Sequence, residues 1–486
     1  MTTVIKELQP VEVWTNFADL NAVPRASKKE ERIIAFMIDF GKRLGLETIT
    51  DKVGNVIIRK PASPGMEDRK GVVLQSHLDM VHQKNSDTEF DFNTQGIDMY
   101  VDGDWVKAKG TTLGADNGLG VSTIMAILES DSIVHPAIEA LFTIDEETGM
   151  TGAMGLEGGI LKGEILLNLD TEEDNEIGVG CAGGIDVTAR RFYIEDDTPE
   201  YSVGFKVEVK GLQGGHSGMD IHKGLGNANK IMNRLLYHCH SKYGLRIAEI
   251  DGGGLRNAIP RESKALIVVE DDHVDAFRAD FDQRVVEINR ELKTMEPDLD
   301  IHLLRIVPPE RVMVVSTQEG LIKALYAAHN GVYRMSADIP DLVETSNNIA
   351  KVSVQHGQIK ISCLTRSSVE SSKMDLANQL KATFELAGCD VEFTHNYPGW
   401  TPNMDSAILK VMVDLYKKLH GEEPHVAACH AGLECGILGT NYPEMDMISF
   451  GPNILGAHSP DERAQISSVQ KFWSFVLEIL KNIPKA

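Results

Sequence analysis

Three short apolar segments, each followed by acidic or histidine side chains, constrain the fold of this 486-residue chain more than any other feature. Residues 71–75, 138–143 and 165–169 are nearly continuous apolar runs, which is typical of strands buried on both faces. Helical patterns separate several of these runs, so we predict an α/β fold whose central sheet is covered by helices. Ser27 and Glu30 predict a capping box ahead of one such helix, which runs to about Leu44.

The side chains that follow these runs are of the kinds that bind divalent metal ions. The candidate ligands are His77, Asp116, Glu147, Asp170 and His458. Two imidazoles and three carboxylates suffice for a pair of zinc-like ions if one carboxylate bridges them. Glu146 would then be free to act as a base on the attacking water. The sequence therefore predicts a two-metal hydrolase.

Each candidate also fits an ordinary structural role when it is considered alone. The H-L-D at 77–79 suits a surface turn, Asp116 suits a helix N-cap, and the acidic residues at 145–147 suit a solvated loop. The hypothesis rests on the set, because four separate segments place metal-compatible residues just past predicted strands. Open α/β sheets bind their ligands at the carboxyl ends of strands.

The middle of the chain has a different pattern, with longer alternating strands and long amphipathic helices. We predict a discontinuous catalytic domain formed by residues 1–186 and 400–486, with an α+β lid domain at 187–399 inserted between them. The element order helix–strand–strand–helix–strand occurs twice, which predicts two similar ferredoxin-like units in tandem at about 187–308 and 309–399.

Composition limits the partners of the chain. A formal net charge of −24 argues against binding to nucleic acid or to an anionic membrane. We expect neither a membrane span nor a secretory signal, since no run of about eighteen apolar residues occurs and the first residues lack the basic-then-apolar pattern. The six cysteines are scattered, so we expect a cytoplasmic protein with reduced thiols.

Several motifs resemble those of a known superfamily. H-L-D-M, G-A-D-N-G, the Glu146–Glu147 pair, N-L-D and G-A-H-S occur in the order and spacing of the di-zinc aminoacylase/carboxypeptidase superfamily. Within it, the chain looks similar to the cytosol non-specific dipeptidases, or aminoacyl-histidine dipeptidases. Their long insert and their G-G-G-L-R-N-A-I-P-R-E and H-A-G-L-E-C-G segments are matched here.

The resemblance implies a role for each metal-site residue. It implies that Asp116 bridges two ions, that His77 and Asp170 bind one of them, and that Glu147 and His458 bind the other. It also implies a cis peptide bond after Asp116.

Further roles outside the ligand set follow from the same resemblance. Glu146 would be the general base, and Asp79 would be the partner that orients His77. His216, in G-G-H-S-G, would stabilise the oxyanion of the tetrahedral intermediate. Asn257 and Arg366 are candidates for substrate binding. Glu434 is a further candidate, although its loop differs from the Gly-Gly-Thr-Asp type found elsewhere in the superfamily.

The predicted function is a metallodipeptidase that acts on unblocked dipeptides, including Xaa-His dipeptides such as carnosine. We expect two Zn²⁺ per chain, with Co²⁺ or Mn²⁺ as substitutes that the same ligands accept. An aminoacylase with the same metal site is the alternative enzyme. A metal-loaded binding protein is a third reading, but a binding protein has no need for the base Glu146. The one protein partner proposed from the sequence is a second copy of this chain, which would form a homodimer through the lid domain.

Overall fold

The computed structural model describes residues 2–486, which form two compact units. The flanking unit comprises the chain up to residue 180 together with residues 400–428 and 433–486. The insert unit comprises residues 181–399 and 429–432. The helices of the described chain are α1 (Thr2–Ile5), α2 (Val11–Asn21), α3 (Glu31–Arg43), α4 (Ala115–Glu129), α5 (Glu146–Gly149), α6 (Thr151–Gly155), α7 (Ala228–Cys239), α8 (Val274–Leu292), α9 (Val315–Ala327), α10 (Glu370–Leu386), α11 (Ala407–His420), α12 (Glu434–Asn441) and α13 (Ile466–Lys481).

The strands occur in both units. They are β1 (Glu47–Thr50), β2 (Val56–Lys60), β3 (Val72–His77), β4 (Met99–Asp102), β5 (Trp105–Ala108), β6 (Ile138–Thr143), β7 (Ile165–Asn168), β8 (Glu176–Cys181), β9 (Gly183–Phe192), β10 (Glu195–Asp197), β11 (Ser202–Lys210), β12 (Arg246–Gly253), β13 (Ser263–Glu270), β14 (Asp300–Ile306), β15 (Arg311–Met313), β16 (Gly331–Met335), β17 (Val343–Gln355), β18 (Gln358–Ser367), β19 (Asp390–Tyr397), β20 (His425–Cys429), β21 (Asp446–Ser449), β22 (Ile454–Leu455) and β23 (Arg463–Gln465).

The main sheet of the flanking unit has the strand order β1-β2-β6-β3-β7-β21-β8-β20. Its four central strands, β6, β3, β7 and β21, are mutually parallel. Every residue of β3, β6 and β7 is buried, as the apolar runs in the sequence predict. Because parallel strands end at one edge of the sheet, the segments that follow β3, β6 and β7 meet there.

A second, four-stranded sheet in the flanking unit has the order β22-β23-β5-β4. Strands β22 and β23 pair antiparallel, and the loop between them contains His458 and Glu462. Helix α13 begins directly after β23. It buries Val469, Phe472, Val476 and Ile479, whose spacing of three and four residues forms one apolar face.

The predicted capping box at the start of α3 is absent. The N-cap of α3 is Glu30, and no side chain caps this helix. The Ser27 hydroxyl instead donates to Asp79 Oδ2 (2.8 Å), and Glu30 Oε1 accepts from the backbone N–H of Lys28 (2.9 Å). The prediction was wrong because α3 begins only after Glu30, and the Ser27 hydroxyl donates to a buried carboxylate distant in sequence instead of accepting from an N–H group of the helix end.

The insert unit contains a nine-stranded sheet with the order β14-β11-β13-β12-β17-β18-β9-β19, in which β16 also pairs with β17. The first four strands, with α7 and α8, form a ferredoxin-like β-α-β-β-α-β motif. The last four, with α9 and α10, form a second motif of the same strand order. Antiparallel pairing of β12 with β17 joins the two.

The two motifs are not consecutive in the chain, which differs from the tandem order predicted at 187–308 and 309–399. The second motif takes its first strand from β9, which pairs with β18 and β19. The first motif is therefore inserted between the first strand and the first helix of the second. Element order alone cannot reveal this, because strand pairing joins segments far apart in sequence. None of the helices in residues 2–486 has the length and hydrophobicity needed to cross a membrane.

Candidate metal centre

The flanking unit brings the five candidate ligands together beside the ends of the parallel strands. His77, the last residue of β3, lies with its Nε2 3.1 Å from Asp116 Oδ1 and 3.4 Å from Asp170 Oδ1. Asp170 follows β7, and Asp116 lies at the start of α4. These three residues form one group whose candidate ligand atoms all lie within 4.8 Å of one another.

A second group shares Asp116 with the first. His458 Nε2 lies 3.2 Å from Asp116 Oδ2 and 3.0 Å from Glu147 Oε2. The two oxygens of Asp116 therefore face two different histidines, as a carboxylate between two ions would require. The peptide bond from Asp116 to Asn117 is cis, in agreement with the expectation from sequence.

Charges in this cluster shift the pKa of both histidines upward. Burial alone would lower the pKa of His77, but the carboxylates of Asp170, Asp116 and Asp79 outweigh burial and raise it well above its usual value. Hydrogen bonding to Asp116 and Glu147 raises the pKa of His458 to about 11. The carboxylates thus favour positive charge at both imidazole positions.

Three acidic groups of the cluster also have a raised pKa, but for them burial is the main cause. Burial raises the pKa of Glu146 well above its usual value, and the nearby carboxylates of Asp170, Glu434 and Glu147 add to this rise. Burial likewise raises the pKa of Glu147 and Asp170. So many carboxylates in one buried space repel one another, and divalent cations would relieve that repulsion.

The residues present fit a pair of metal ions. Glu147 Oε1 is buried and has no hydrogen-bond partner within residues 2–486, although its other oxygen contacts His458. A buried carboxylate oxygen without a donor is rare, because leaving it unpaired costs about 1–3 kcal/mol. Imidazole nitrogen and carboxylate oxygen form the donor set that zinc accepts.

Asp79 connects His77 to the turn that carries Glu146 and Glu147. It is fully buried, and its Oδ1 lies 3.4 Å from His77 Nδ1. Its two oxygens also accept from the backbone N–H groups of Glu146 (3.0 Å) and Glu147 (3.3 Å). Because His77 Nδ1 also lies 3.1 Å from the backbone oxygen of Asp79, Asp79 orients the imidazole through both its peptide and its side-chain oxygens, and its carboxylate fixes the position of the acidic turn.

His216 lies in the insert unit, in the loop before α7. The backbone N–H groups of Gly218 (3.2 Å) and Met219 (3.0 Å) both donate to its Nδ1. Since Nδ1 is an acceptor, the proton of the neutral ring resides on Nε2. Burial and the charge of Arg366 lower the pKa of His216 to about 4, so the ring is neutral at physiological pH and offers one N–H donor.

Arg366, on β18, is a buried cation without an acidic partner. It is 5% exposed, and its Nη1 donates to the Tyr397 hydroxyl (2.9 Å). Its Nη2 lies 3.5 Å from His216 Nε2, and its Nε lies 3.5 Å from the Ser217 hydroxyl. No carboxylate in the described part of the chain forms an ion pair with it. Arg366 and His216 therefore present neighbouring donors that lack an anionic acceptor.

The other two predicted substrate-binding residues differ in position. The side chain of Asn257 is exposed, and its backbone oxygen accepts from Ser217 N (2.7 Å), which ties its loop to the loop of His216. Glu434 is completely buried in the flanking unit, where its Oε2 accepts from Gln75 Nε2 and Thr143 Oγ1, both at 2.6 Å. Its Oε1 has no donor among residues 2–486. Burial raises the pKa of Glu434 to about 8.

Sequence reasoning missed three buried residues around the cluster: Arg25, Ser27 and Glu462. Ser27 bonds Asp79, whereas Arg25 and Glu462 contact the chain just before Asp116. Only Glu462 had a usable signal, since an acid four residues after a candidate ligand in a loop is a reasonable supporting residue. Arg25 lies in a segment whose sequence gives no sign of buried charge.

Comparison with known proteins gives consistent results over the whole chain. The family model described as Peptidase family M20/M25/M40 matches residues 73–482. The chain is 42% identical over 480 residues to a cytosol non-specific dipeptidase of Escherichia coli (strain K12), which covers 99% of each protein. It is 43% identical to an aminoacylhistidine dipeptidase from Vibrio alginolyticus of known crystal structure, with a TM-score of 0.94, covering 99% of this chain and 98% of the other.

A more distant structure shares the fold. The aminopeptidase PepT from Bacillus cereus ATCC 10987 is 15% identical, with a TM-score of 0.58, and the match covers 98% of this chain and 99% of that chain.

Proposed function

The chain belongs to peptidase family M20/M25/M40, and from this membership we propose that it is a dipeptidase that hydrolyses unblocked dipeptides at a two-metal centre. The observation that carries the proposal is the pair of acid–histidine groups that share Asp116, with Glu146 beside them. The similarity of the whole chain to two dipeptidases supports the choice of substrate class.

We propose that two Zn²⁺ ions would bind here: His77 and Asp170 would hold one and Glu147 and His458 the other, and Asp116, whose two oxygens face the two histidines, would serve both. Co²⁺ and Mn²⁺ are substitutes that the same nitrogen and oxygen ligands accept. When bound, the ions would supply Lewis-acid activation of water and of the scissile carbonyl.

Glu146 is assigned as the general base. Its carboxylate would accept a proton from the attacking water and return it to the leaving amine. Two features support this role. The backbone N–H of Glu146 is bonded to Asp79, which holds it next to the ligand Glu147. Burial and neighbouring carboxylates raise its proton affinity, as a base that must later act as an acid requires.

His216 is assigned to stabilise the oxyanion. Its Nδ1 accepts from two backbone N–H groups, so the Nε2–H is available for an oxygen of the substrate. Its low pKa keeps the ring neutral, and Arg366 supplies the positive charge beside it.

Each end of a dipeptide would meet a buried polar side chain. Arg366 would bind the substrate carboxylate, since its guanidinium contacts Tyr397 and His216 but no acidic side chain among residues 2–486. The unpaired Oε1 of Glu434 would accept from the free ammonium group, and Asn257 would contact the peptide backbone. Fixed binding of both ends selects dipeptides over longer peptides, since a longer chain leaves donors unpaired.

An aminoacylase with the same metal site is the competing enzyme function. N-acylated amino acids lack the ammonium group, so the buried unpaired oxygen of Glu434 favours the dipeptidase. A non-catalytic metal-binding protein would have no use for Glu146 as a base. The proposal further includes Xaa-His dipeptides such as carnosine among the substrates, a cytoplasmic location, and a homodimer that forms through the lid segment at 187–399.

A comparison of hydrolysis rates on different substrates tests the proposal. The metal-free protein would be loaded with Zn²⁺ and assayed on free dipeptides, N-acetyl amino acids, tripeptides and dipeptide amides. We expect hydrolysis of free dipeptides to be much the fastest and to require the metal. Preference for N-acetyl amino acids would make the protein an aminoacylase, and equal rates on tripeptides would make it a general aminopeptidase.

A further inference from the structure

The segment at 113–116, which leads into the proposed bridging ligand, is held from two sides by buried side chains of opposite charge. These are Arg25 and Glu462, which are 1% and 3% exposed. Neither residue belongs to the predicted ligand set. Apart from one bond from Arg25 Nη2 to Asn21 Oδ1 (3.0 Å), their hydrogen bonds are with peptide groups, so their effect is on backbone position.

Glu462 occupies the N–H side of the segment. Its Oε2 accepts from the backbone N–H groups of Leu113 (2.7 Å) and Gly114 (2.9 Å). Its Oε1 accepts from those of Ala115 (2.7 Å) and Asp116 (3.3 Å). Four successive N–H groups therefore converge on one carboxylate. This carboxylate lies at the N-terminal end of α4, where the helix dipole also favours negative charge.

Arg25 occupies the carbonyl side. Its Nη2 donates to Gly114 O, and its Nη1 donates to Leu78 O and Asp79 O, both at 3.1 Å. One guanidinium thus joins the segment before Asp116 to the residues that directly follow His77. Burial lowers the pKa of Arg25 to about 10, which leaves the group charged at neutral pH.

Two glycines make room for the guanidinium. A Cβ at Gly114 would lie 2.5 Å from Arg25 Nη2, and one at Gly118 would lie 2.7 Å from it. Gly114 also has a φ of +69°, which side chains other than glycine rarely adopt. The approach of Arg25 therefore accounts for the two glycines of the G-A-D-N-G sequence around Asp116.

Glu462 also links two parts of the site that are far apart in sequence. It lies four residues after His458 in the loop between β22 and β23, so its bonds fix that loop against the segment of Asp116. We propose that Arg25 and Glu462 form a clamp that positions Asp116 between His77 and His458, so that the affinity of the site for both metal ions depends on it. This inference rests on the two-metal centre of the proposed function.

The test is a Zn²⁺ titration of metal-free protein in competition with a chromophoric chelator, for wild type and for E462Q. In E462Q one oxygen is replaced by an NH₂ group that faces backbone N–H donors, so at least one pair of the four hydrogen bonds is lost. We expect both ions to bind about 10- to 100-fold more weakly, because Asp116 is shared between them. H458A, by contrast, should lose one ion and retain most of the affinity for the other.

R25K gives a second route if E462Q does not fold. Lysine keeps the charge but replaces the two Nη donors by one nitrogen on a shorter side chain, so the bonds to Gly114 O and to the carbonyls of Leu78 and Asp79 cannot all keep their present geometry, and Zn²⁺ affinity should again fall. The matched control is E139Q. Glu139 is also a buried carboxylate with two backbone N–H donors, Lys162 (2.6 Å) and Gly163 (2.8 Å), but it lies near the opposite, amino end of β6.

The outcomes separate positioning from general stability. Weaker Zn²⁺ binding in E462Q and R25K, with wild-type binding in E139Q at a comparable loss of thermal stability, supports the clamp. Wild-type Zn²⁺ affinity in folded E462Q or R25K, whatever its melting temperature, overturns it. Failure of the wild type itself to bind two ions would overturn the proposed metal centre instead.

Discussion

Replacement of Arg366 by glutamine should selectively impair the hydrolysis of dipeptides that carry a free carboxylate. The guanidinium is buried, contacts Tyr397 and His216, and has no acidic partner in the described chain. A buried charge without a counter-ion is destabilising, and a substrate carboxylate would compensate it. Glutamine keeps a polar end of smaller size but removes the charge.

The expected magnitude follows from the hydrogen bonds that a carboxylate would make. A hydrogen bond to a charged group contributes roughly 1.5–3 kcal/mol, and a guanidinium can donate two to one carboxylate. Loss of about 3 kcal/mol of transition-state stabilisation corresponds to about a 10²-fold decrease in kcat/KM. For a C-terminally amidated dipeptide, which has no charge to pair, the decrease should stay under about tenfold.

The assay measures kcat/KM for wild type and for R366Q, each on one dipeptide and on the amide of that dipeptide. The four values are compared as a double cycle. The matched control is R246Q, since Arg246 is also largely buried in the insert unit but pairs with Asp196 (2.7 Å). The ratio of kcat/KM between the two substrates should change about 10- to 10²-fold in R366Q and remain constant in R246Q. An equal loss on both substrates in R366Q would refute a carboxylate contact.

Three further predictions concern His216, Asp79 and Glu434. H216A should lower kcat by roughly 10²-fold or more with unchanged metal content, because one oxyanion donor is lost; a near-normal kcat would return His216 to a structural role. D79A should weaken Zn²⁺ binding about 10- to 100-fold, measured by chelator competition, since His77 and the acidic turn lose a common partner; unchanged affinity would contradict that role. In the metal-free protein, E434Q should be more stable than wild type at pH 9 but not at pH 4. The pKa of Glu434 is raised from 4.5 to about 8, so its stabilising effect is complete below pH 4.5 and is lost as pH rises through 8, whereas glutamine does not titrate. A stability difference that is the same at both pH values would contradict the raised pKa.

The central strands of the main sheet could be predicted well from sequence, because a strand buried on both faces appears as a nearly continuous run of apolar residues. The apolar runs at 138–143 and 165–169 correspond to β6 at Ile138–Thr143 and β7 at Ile165–Asn168. Because helices connect these strands, the strands are expected to run parallel. Parallel strands end at the same edge of the sheet, so the segments that follow the strands lie together at that edge. The sequence therefore predicts that His77 and Asp170 lie close together, and His77 Nε2 lies 3.4 Å from Asp170 Oδ1.

The pairing of strands in the insert could not be predicted in the same way. The order of helices and strands is the same for two tandem motifs and for one motif inserted into the other. Only the hydrogen bonds of β9 with β18 and β19 distinguish these arrangements. Such pairings depend on long-range packing, which has no local signature in the sequence.

Buried polar contacts were the least predictable part of the site. Ser27 looked like a helix cap but bonds Asp79, and Arg25 gave no signal, although its guanidinium contacts three backbone oxygens. The partners of these side chains lie on segments distant in sequence, so no short motif records them. Candidate ligands could be identified from sequence by their residue type. The residues that bond the backbone around those ligands could not.

The most direct test of the account is to separate base from ligand at the adjacent residues Glu146 and Glu147. Metal content and turnover would be measured together on E146Q and E147A, with wild type beside them. The account predicts that E146Q retains two ions per chain and loses turnover by about 10²-fold or more, as removal of a general base does. E147A should lose metal as well as activity. An E146Q protein that is as depleted of metal as E147A, or that turns over dipeptides normally, would contradict the assignment.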